Sequence, residues 1–589
     1  MSRTFLADCL FVLLASLFCL SALHGTLEMN PRAVNIDSDL QWYAQILETR
    51  LHPEAFASDP VAPLLPLDPG VPNLLTDLAG WLAPTDHAPT NLLYVGSLAI
   101  FLHFLVYYAL GRWLFGYPSL AAVLSLLMSV TVYWAYGTFW GNLHSDPVPR
   151  IFFAVLWPLL IALACVAVRR TALRPIVLLL TGCAIKVHTV STLMFGPMLL
   201  MGFALLPQGQ SLGRHARAWL LGAFCYLLPV AIYIWWLLGS LLSAPHDEAL
   251  FAQVRALRFE KDFQFLWLSL RDILWNYTLT QPVLPAGAIC WWIAWKNRVK
   301  LSAQVQSLLA LTPGMVLGLA GMCVVCALEI WLTKVLGRNN FSQEILRGTR
   351  FLIPLSWLMV ASTLSLAWTK LPGMLRGCLA VGFALCLCLF AQDKQVLAAR
   401  HFAAKATGLS AFDTAEGQKK ARDGALQIEA LAALRQLIRP GELVFSDSEF
   451  MAVRYVAHCP MTFGFKDGNI VYYAKKPDIA RRWVEMRRVM ASSPQGWISV
   501  WKDGEAPLLL TRRVDCRDEL LNVGDLLYEN ASYLLLRRRY AKPAEGAMSP
   551  KSRETALQTS DWIMDGLCWL RLCGCSQKAR RAEPTALVR

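Results

Sequence analysis

The chain has 589 residues, 56% of them hydrophobic, with 22 tryptophans. A soluble protein of that length would form several domains without repeated apolar runs of roughly 18–25 residues, each able to cross about 30 Å of hydrocarbon, and a β-barrel would show short alternating strands instead. The net charge of +14 falls largely on Lys and Arg between the apolar runs, where it sets membrane orientation, and no nucleic-acid motif accompanies it.

Taken in chain order, apolar runs at about 5–24, 91–115, 118–137, 149–168, 175–187, 189–206, 217–240, 279–295, 308–333, 351–369 and 374–391 predict membrane helices. The first resembles a signal peptide, but with so many spans downstream an uncleaved helix starting in the cytoplasm is expected. Residues 175–206 are one apolar stretch interrupted by Lys186-Val187-His188-Thr189, read either as one tilted helix or as two short helices meeting near His188. Charge favours two. With the N-terminus inside, Arg112, Arg169, Arg170, Arg174, Arg214, Arg217, Lys296, Arg298, Lys300, Lys370 and Arg376 then all fall in cytoplasmic loops, whereas a single crossing would put Lys296–Lys300 outside. The expectation is an α-helical polytopic membrane protein of about eleven crossings. Gly314 and Gly318 form a small-xxx-small helix-packing motif.

The larger polar pieces then lie outside: a first loop at 25–90, then 137–150, 241–278 with an interfacial helix, and 334–350. After the membrane domain (1–391) the composition changes. An amphipathic helix at 416–438, a strand at 442–447 and continued helix–strand alternation predict a soluble, extracytoplasmic α/β domain over 392–541, with a mostly disordered tail at 542–589. The 16 cysteines show no metal-binding spacing, and most lie in apolar runs; Cys459 and Cys516 are candidates for a disulfide.

Candidate chemistry gathers on the outer side. Asp37 and Asp39 lead a stretch with helical spacing at Leu40, Tyr43, Ile46, Leu47 and Leu51. Asp39 is read either as a helix N-cap or as a carboxylate acting as general base or metal ligand. His144, Asp146 and Arg150 sit within seven residues, stiffened by Pro147 and Pro149 before a span. Arg150 at an outer span end runs against the positive-inside bias, which suggests an anionic partner. His188 interrupts an apolar run, where ionisable groups usually face a cavity or each other. Gln343, Arg347 and Arg350 precede another span, and two outer arginines suit a phosphate or pyrophosphate; the plainer reading is headgroup anchoring.

This layout resembles the GT-C type of integral-membrane glycosyltransferase, and more closely a group of bacterial multi-pass proteins of that architecture. The residues carrying the likeness are Asp39, Tyr43, Pro53, Phe56, Asp59 and Pro60, with the segments DPVPR (146–150), QEILRGTRF (343–351) and RYVAHCPMTFGFKDG (454–468). The resemblance implies sugar transfer from a polyprenyl-phosphate-linked donor at the outer face of a bacterial inner membrane. Asp37 or Asp39 would be the base or the ligand of a divalent metal such as Mg or Mn, and Arg150, Arg347, Arg350 and His188 would bind phosphate. Here Ser38 separates the acids, which many such enzymes carry as a pair. Two other functions are open on the sequence: a non-catalytic membrane scaffold, and a transporter or flippase, although no inverted repeat is evident.

Overall fold

The structure, a computed structural model, describes residues 3–539 except 35, 37, 68–73, 84, 86, 131–143, 145, 146, 207–211, 243–246, 264–280, 336–344, 392, 409–414, 447–451, 493, 494 and 513–515. The tail from 542 thus lies outside the described residues. Met1–Arg538 form one compact unit.

Every predicted span corresponds to a helix. These are α1 (Arg3–Met29), α4 (Ala88–Phe115), α5 (Pro118–Ser129), α6 (Arg150–Arg169), α7 (Arg174–Cys183), α8 (Thr189–Ala204), α9 (Leu212–Leu242), α11 (Val283–Lys296), α12 (Ala303–Val335), α13 (Leu352–Trp368) and α14 (Gly373–Phe390), with α2 (Ser38–Leu51) and α3 (Leu74–Leu82) in the first loop and α10 (Glu248–Phe263) between α9 and α11. Seven are long and apolar enough to cross a membrane. The outward faces of α1 and α14 leave Leu13, Leu20, Val381 and Phe390 exposed, as lipid-facing side chains would be.

The break at Lys186–His188 makes a hairpin. His215, near the start of α9, is 3.3 Å from Arg174 Nη1 at the start of α7 and 3.2 Å from the Ala204 carbonyl at the end of α8. The start of α7 and the end of α8 therefore share one end of the bundle, and His188 lies at the other. A Cβ at Gly314 would come within 2.4 Å of the Met201 carbonyl, and one at Gly318 within 2.5 Å of the Pro197 carbonyl. Only glycine lets α12 approach α8 that closely.

The bundle has one strongly basic end. Ser302 Oγ donates to the Leu114 carbonyl (2.7 Å), Trp368 Nε1 to Ser119 Oγ (3.0 Å), and Arg376 lies over Tyr117 at 4.9 Å. These contacts tie the loops bearing Arg112, Lys296–Lys300, Lys370 and Arg376 to one another. Asp8 of α1 pairs with Arg112 at 2.9 Å, which brings the N-terminal helix to the same end.

At the opposite end, the first loop and the C-terminal region fold into each other. A four-stranded sheet runs in the order β1 (Val444–Phe445), β2 (Leu508–Thr511), β4 (Leu534–Arg538), β3 (Gly524–Glu529); β1 pairs parallel with β2, and the other pairs are antiparallel. Both faces are covered, so β2 reads as an unbroken apolar run rather than an alternation. Val444, Leu508, Leu510 and Leu535 point to a core that includes Val34, Ile36, Leu40 and Leu92. Phe445, Leu509, Leu534 and Leu536 point to another that includes Trp42, Ile46, Leu250 and Trp483. Helix α2 contributes to both. Helix α10 differs from its expected place at the membrane interface: its apolar stripe of Leu250, Phe251 and Val254 is buried in the second core. Cys459 and Cys516, the pair left open as a possible disulfide, are both free thiols, and Cys459 is buried and directed at the Ala457 carbonyl, 3.2 Å away.

Candidate functional site

Three chain segments bring the predicted basic residues together. Arg150 opens α6, His188 caps α8, and Arg350 lies in the 3-10 turn Arg347–Phe351 that leads into α13. Immediately below them the same three segments meet in an aromatic cluster. The Phe153–Phe195, Phe153–Phe351 and Phe195–Phe351 ring centroids are 6.1, 5.9 and 5.3 Å apart, and Trp157 stacks on Phe351. The sequence disposes each segment for this. Pro149 precedes the first turn of α6, and the His188 imidazole accepts the Ser191 N–H at 3.2 Å, capping a helix with no acid in its first turn.

The site is rich in unused polar groups. Arg150 Nε is shut off from solvent and finds no hydrogen-bond partner among the described residues; the same holds for Trp157 Nε1, two turns deeper on α6, and for Thr192 Oγ1 on α8. The Arg150 charge acts electrostatically on the His188 ring. Groups withdrawn from water without partners are costly, so such a set marks a place where a ligand would complete the bonding. A guanidinium N–H without an acceptor favours an anion.

The remaining predicted residues separate. His144 is fully buried, with Nδ1 2.9 Å from Ser97 Oγ of α4 and Nε2 unpartnered. Burial pushes its pKa down to about 3, so it stays neutral. Asp39 is exposed and lies 3.2 Å from Lys466 Nζ of the C-terminal region. Asp39 thus has an ammonium beside it, and Asp37, the other acid expected to hold Mg or Mn, lies outside the described residues. Asp37, Asp146, Gln343 and the Arg347 side chain lie outside the described residues. Ile36 and Leu40 are buried in a core on which Phe152 of α6 also packs.

Two clusters escaped the sequence reading. In the first, Arg454 is completely buried and saturated. Its guanidinium donates to Asp59 from Nε at 2.7 Å and from Nη2 at 3.1 Å, and to Asp467 and Gln45 from Nη1 at 2.9 Å each. Asp59 also accepts N–H groups from Val61, Ala62 and Met461, and Asp467 accepts one from Gly464. Burial alone would lower the Arg454 pKa, but the Asp467 and Asp59 charges outweigh it and push it up. This network pins the first loop to the C-terminal region. The second cluster, Glu48, His52 and His458, joins the same two parts. The four-residue spacing of Glu48 and His52 places them on one helix face; Asp59 and the segment 454–468 were singled out only for the family likeness, and nothing in the sequence pairs Arg454 with Asp59, 395 residues away. A cavity of about 350 Å³ lies at the basic end of the bundle, lined by Tyr117, Lys300, Ser302 and Lys370, and contains none of the candidate residues.

Fold and site together define a polytopic helical membrane protein with an aromatic cluster and adjoining arginines under a layered polar cap. No protein-family model matches the chain, and no curated protein does. Among solved structures it is similar to ArnT from Cupriavidus metallidurans in the apo state, at 14% identity and a TM-score of 0.42, over 91% of this chain and 98% of that one. The structure of that protein bound to undecaprenyl phosphate is similar at 13% identity with the same TM-score and coverage. Likeness at this level carries no argument about fold or chemistry.

Proposed function

We propose that this protein is a GT-C-type glycosyltransferase that moves a sugar from a polyprenyl-phosphate-linked donor to an acceptor hydroxyl at the outer face of a bacterial inner membrane. The observation that carries the reading is the Arg150 guanidinium, whose Nε finds no acceptor among the described residues, at the head of an aromatic, membrane-level cluster, with His188 beside it and Arg350 on the adjoining turn. A prenyl phosphate has the matching chemistry: an anionic head for Arg150 and Arg350, and an apolar chain that remains in the bilayer. By the positive-inside rule the basic end of the bundle is cytoplasmic, which turns this pocket outward.

In this reading the donor phosphate lies against Arg150. The acceptor oxygen attacks the anomeric carbon, and the bond from that carbon to the phosphate oxygen breaks. Asp37 takes the hydroxyl proton, because Asp39 is engaged by Lys466. The prenyl phosphate leaves carrying the charge that Arg150 neutralises. His188, neutral beside Arg150, positions the head group through its N–H. No step requires a metal.

The test is transfer from a radiolabelled polyprenyl-phosphate sugar by the protein reconstituted in liposomes. Wild type should glycosylate an acceptor, while Arg150→Gln and Asp37→Asn should each lose at least about 100-fold in rate. Equal rates in all three proteins would reject the assignment.

A further inference from the structure

A second polar cluster takes no part in the transfer chemistry. Glu48 and His52 lie one turn apart on α2, and His458 follows α17 (Ala452–Tyr455) in the C-terminal region. One ligand atom from each lies within 4.8 Å of the other two. Glu48 Oε1 is 2.6 Å from His458 Nδ1 and 3.5 Å from His52 Nε2, and the two imidazole rings meet edge to face at 5.2 Å.

We propose that Glu48, His52 and His458 form a zinc site that clips the first loop to the C-terminal region.

Three observations support it. The Glu48 carboxylate is completely buried, with Oε2 held by the Ala88 N–H at 3.3 Å and Oε1 directed at His458 Nδ1; His52 Nε2, 3.5 Å from the same oxygen, is shut off from solvent and finds no hydrogen-bond partner among the described residues. An acid in that position either shares a charge with a cation or is left with a desolvation penalty. The Ala88 N–H, at the first turn of α4, holds the carboxylate from behind and leaves the other oxygen directed at the two rings, as an outer-shell donor does at metal sites. His458 adopts φ 55°, a left-handed conformation that costs a non-glycine residue energy and is retained where the surroundings require it.

The donor set selects the metal. Two imidazoles and one carboxylate suit zinc, whereas Mg and Ca take oxygen ligands. Tetrahedral zinc separates its ligand atoms by roughly 3.3 Å, so the 2.6 Å approach of Glu48 and His458 must open by under 1 Å on binding. Three protein ligands leave one position for water, and His52 is half-buried, so the metal has a route in.

The simpler alternative is a plain Glu48–His458 ion pair without metal, and one experiment separates the two. Tag-free full-length protein in detergent is loaded with Zn²⁺, desalted, and analysed for metal by mass spectrometry, alongside His52→Ala and His458→Asn. The zinc site predicts about one Zn²⁺ per chain in wild type, at least tenfold weaker binding in both variants, and a zinc-dependent rise in melting temperature that His52→Ala lacks. His52 is half-buried at the end of α2, so that variant keeps the fold even if His458→Asn does not. Wild type without zinc above background, or His52→Ala with wild-type zinc content and melting shift, would overturn the proposal. Neither result bears on sugar transfer, which uses other residues.

Discussion

Arg454 and Arg150 are both set into the protein, and they differ in what meets them. Arg454 is enclosed by two carboxylates, an amide oxygen and a backbone carbonyl, and both carboxylates also accept backbone N–H groups. Arg150 keeps an N–H that nothing among the described residues accepts. A guanidinium whose donors are all taken by acids and carbonyls of two chain segments specifies how those segments dock; one with an open donor at the edge of an aromatic cluster keeps capacity for a ligand. Charge and burial alone do not distinguish the two, and the count of unused donors does.

The contrast breaks first at Arg454. Arg454→Met leaves Asp59 and Asp467 buried and unpaired, and should cost about 3–5 kcal/mol, read as a large fall in melting temperature in detergent. Arg150→Met should leave the melting temperature nearly unchanged while abolishing transfer. If the two variants were equally unstable, the division into a structural and a receiving arginine would fail.

Close helix contacts come next. A Cβ at Gly25 of α1 would lie 1.9 Å from the Ala398 carbonyl, so Gly25→Val should cost about 1–3 kcal/mol by forcing α1 away from the helix Lys394–Thr407. Gly213, where a Cβ meets nothing within 4 Å, is the matched control and should tolerate valine.

His144 gives a smaller, pH-dependent effect. Its folded pKa is held near 3 by burial, below the unfolded value near 6.5. The stability it contributes is fully present above pH 6.5 and is lost as the pH falls toward 3. Between pH 7 and pH 5 the loss should be about 2 kcal/mol, and His144→Gln should flatten that part of a melting-temperature profile. A profile unchanged by the substitution would show that the imidazole is not buried neutral.

The smallest effect belongs to the exposed Lys466–Asp39 pair. Lys466→Met should change stability by less than about 1 kcal/mol, and a larger fall would give this pair a structural weight that the exposure of Asp39 argues against.

Much of the bundle was legible because its rules are local. The Lys186–His188 interruption and the sidedness of the arginines were enough to predict a hairpin at 175–206, and Gly314 and Gly318 marked a close helix contact. The convergence of Arg150, His188 and Arg350 was readable only as a shared side, and the aromatic rings that bring them together became visible in the fold. The layering of the first loop with the C-terminal sheet was not legible. Leu508, Leu509 and Leu510 announce a buried strand but not that α2, hundreds of residues earlier, contributes to the cores on both of its faces. Asp59 and Arg454 failed for the same reason, since neither residue alone tells which charge it will meet.

The central claim is that Arg150 receives a lipid phosphate, and binding tests it without depending on the sugar or the acceptor. Wild type and Arg150→Gln, in detergent at fixed salt, are titrated with a polyprenyl phosphate and with the corresponding polyprenol. The account predicts that wild type binds the phosphate at least about tenfold more tightly than the alcohol, as a charge-assisted contact supplies, and that Arg150→Gln loses the difference while keeping its melting temperature. Equal affinity of wild type for the two lipids, or an undiminished preference in Arg150→Gln, would contradict it.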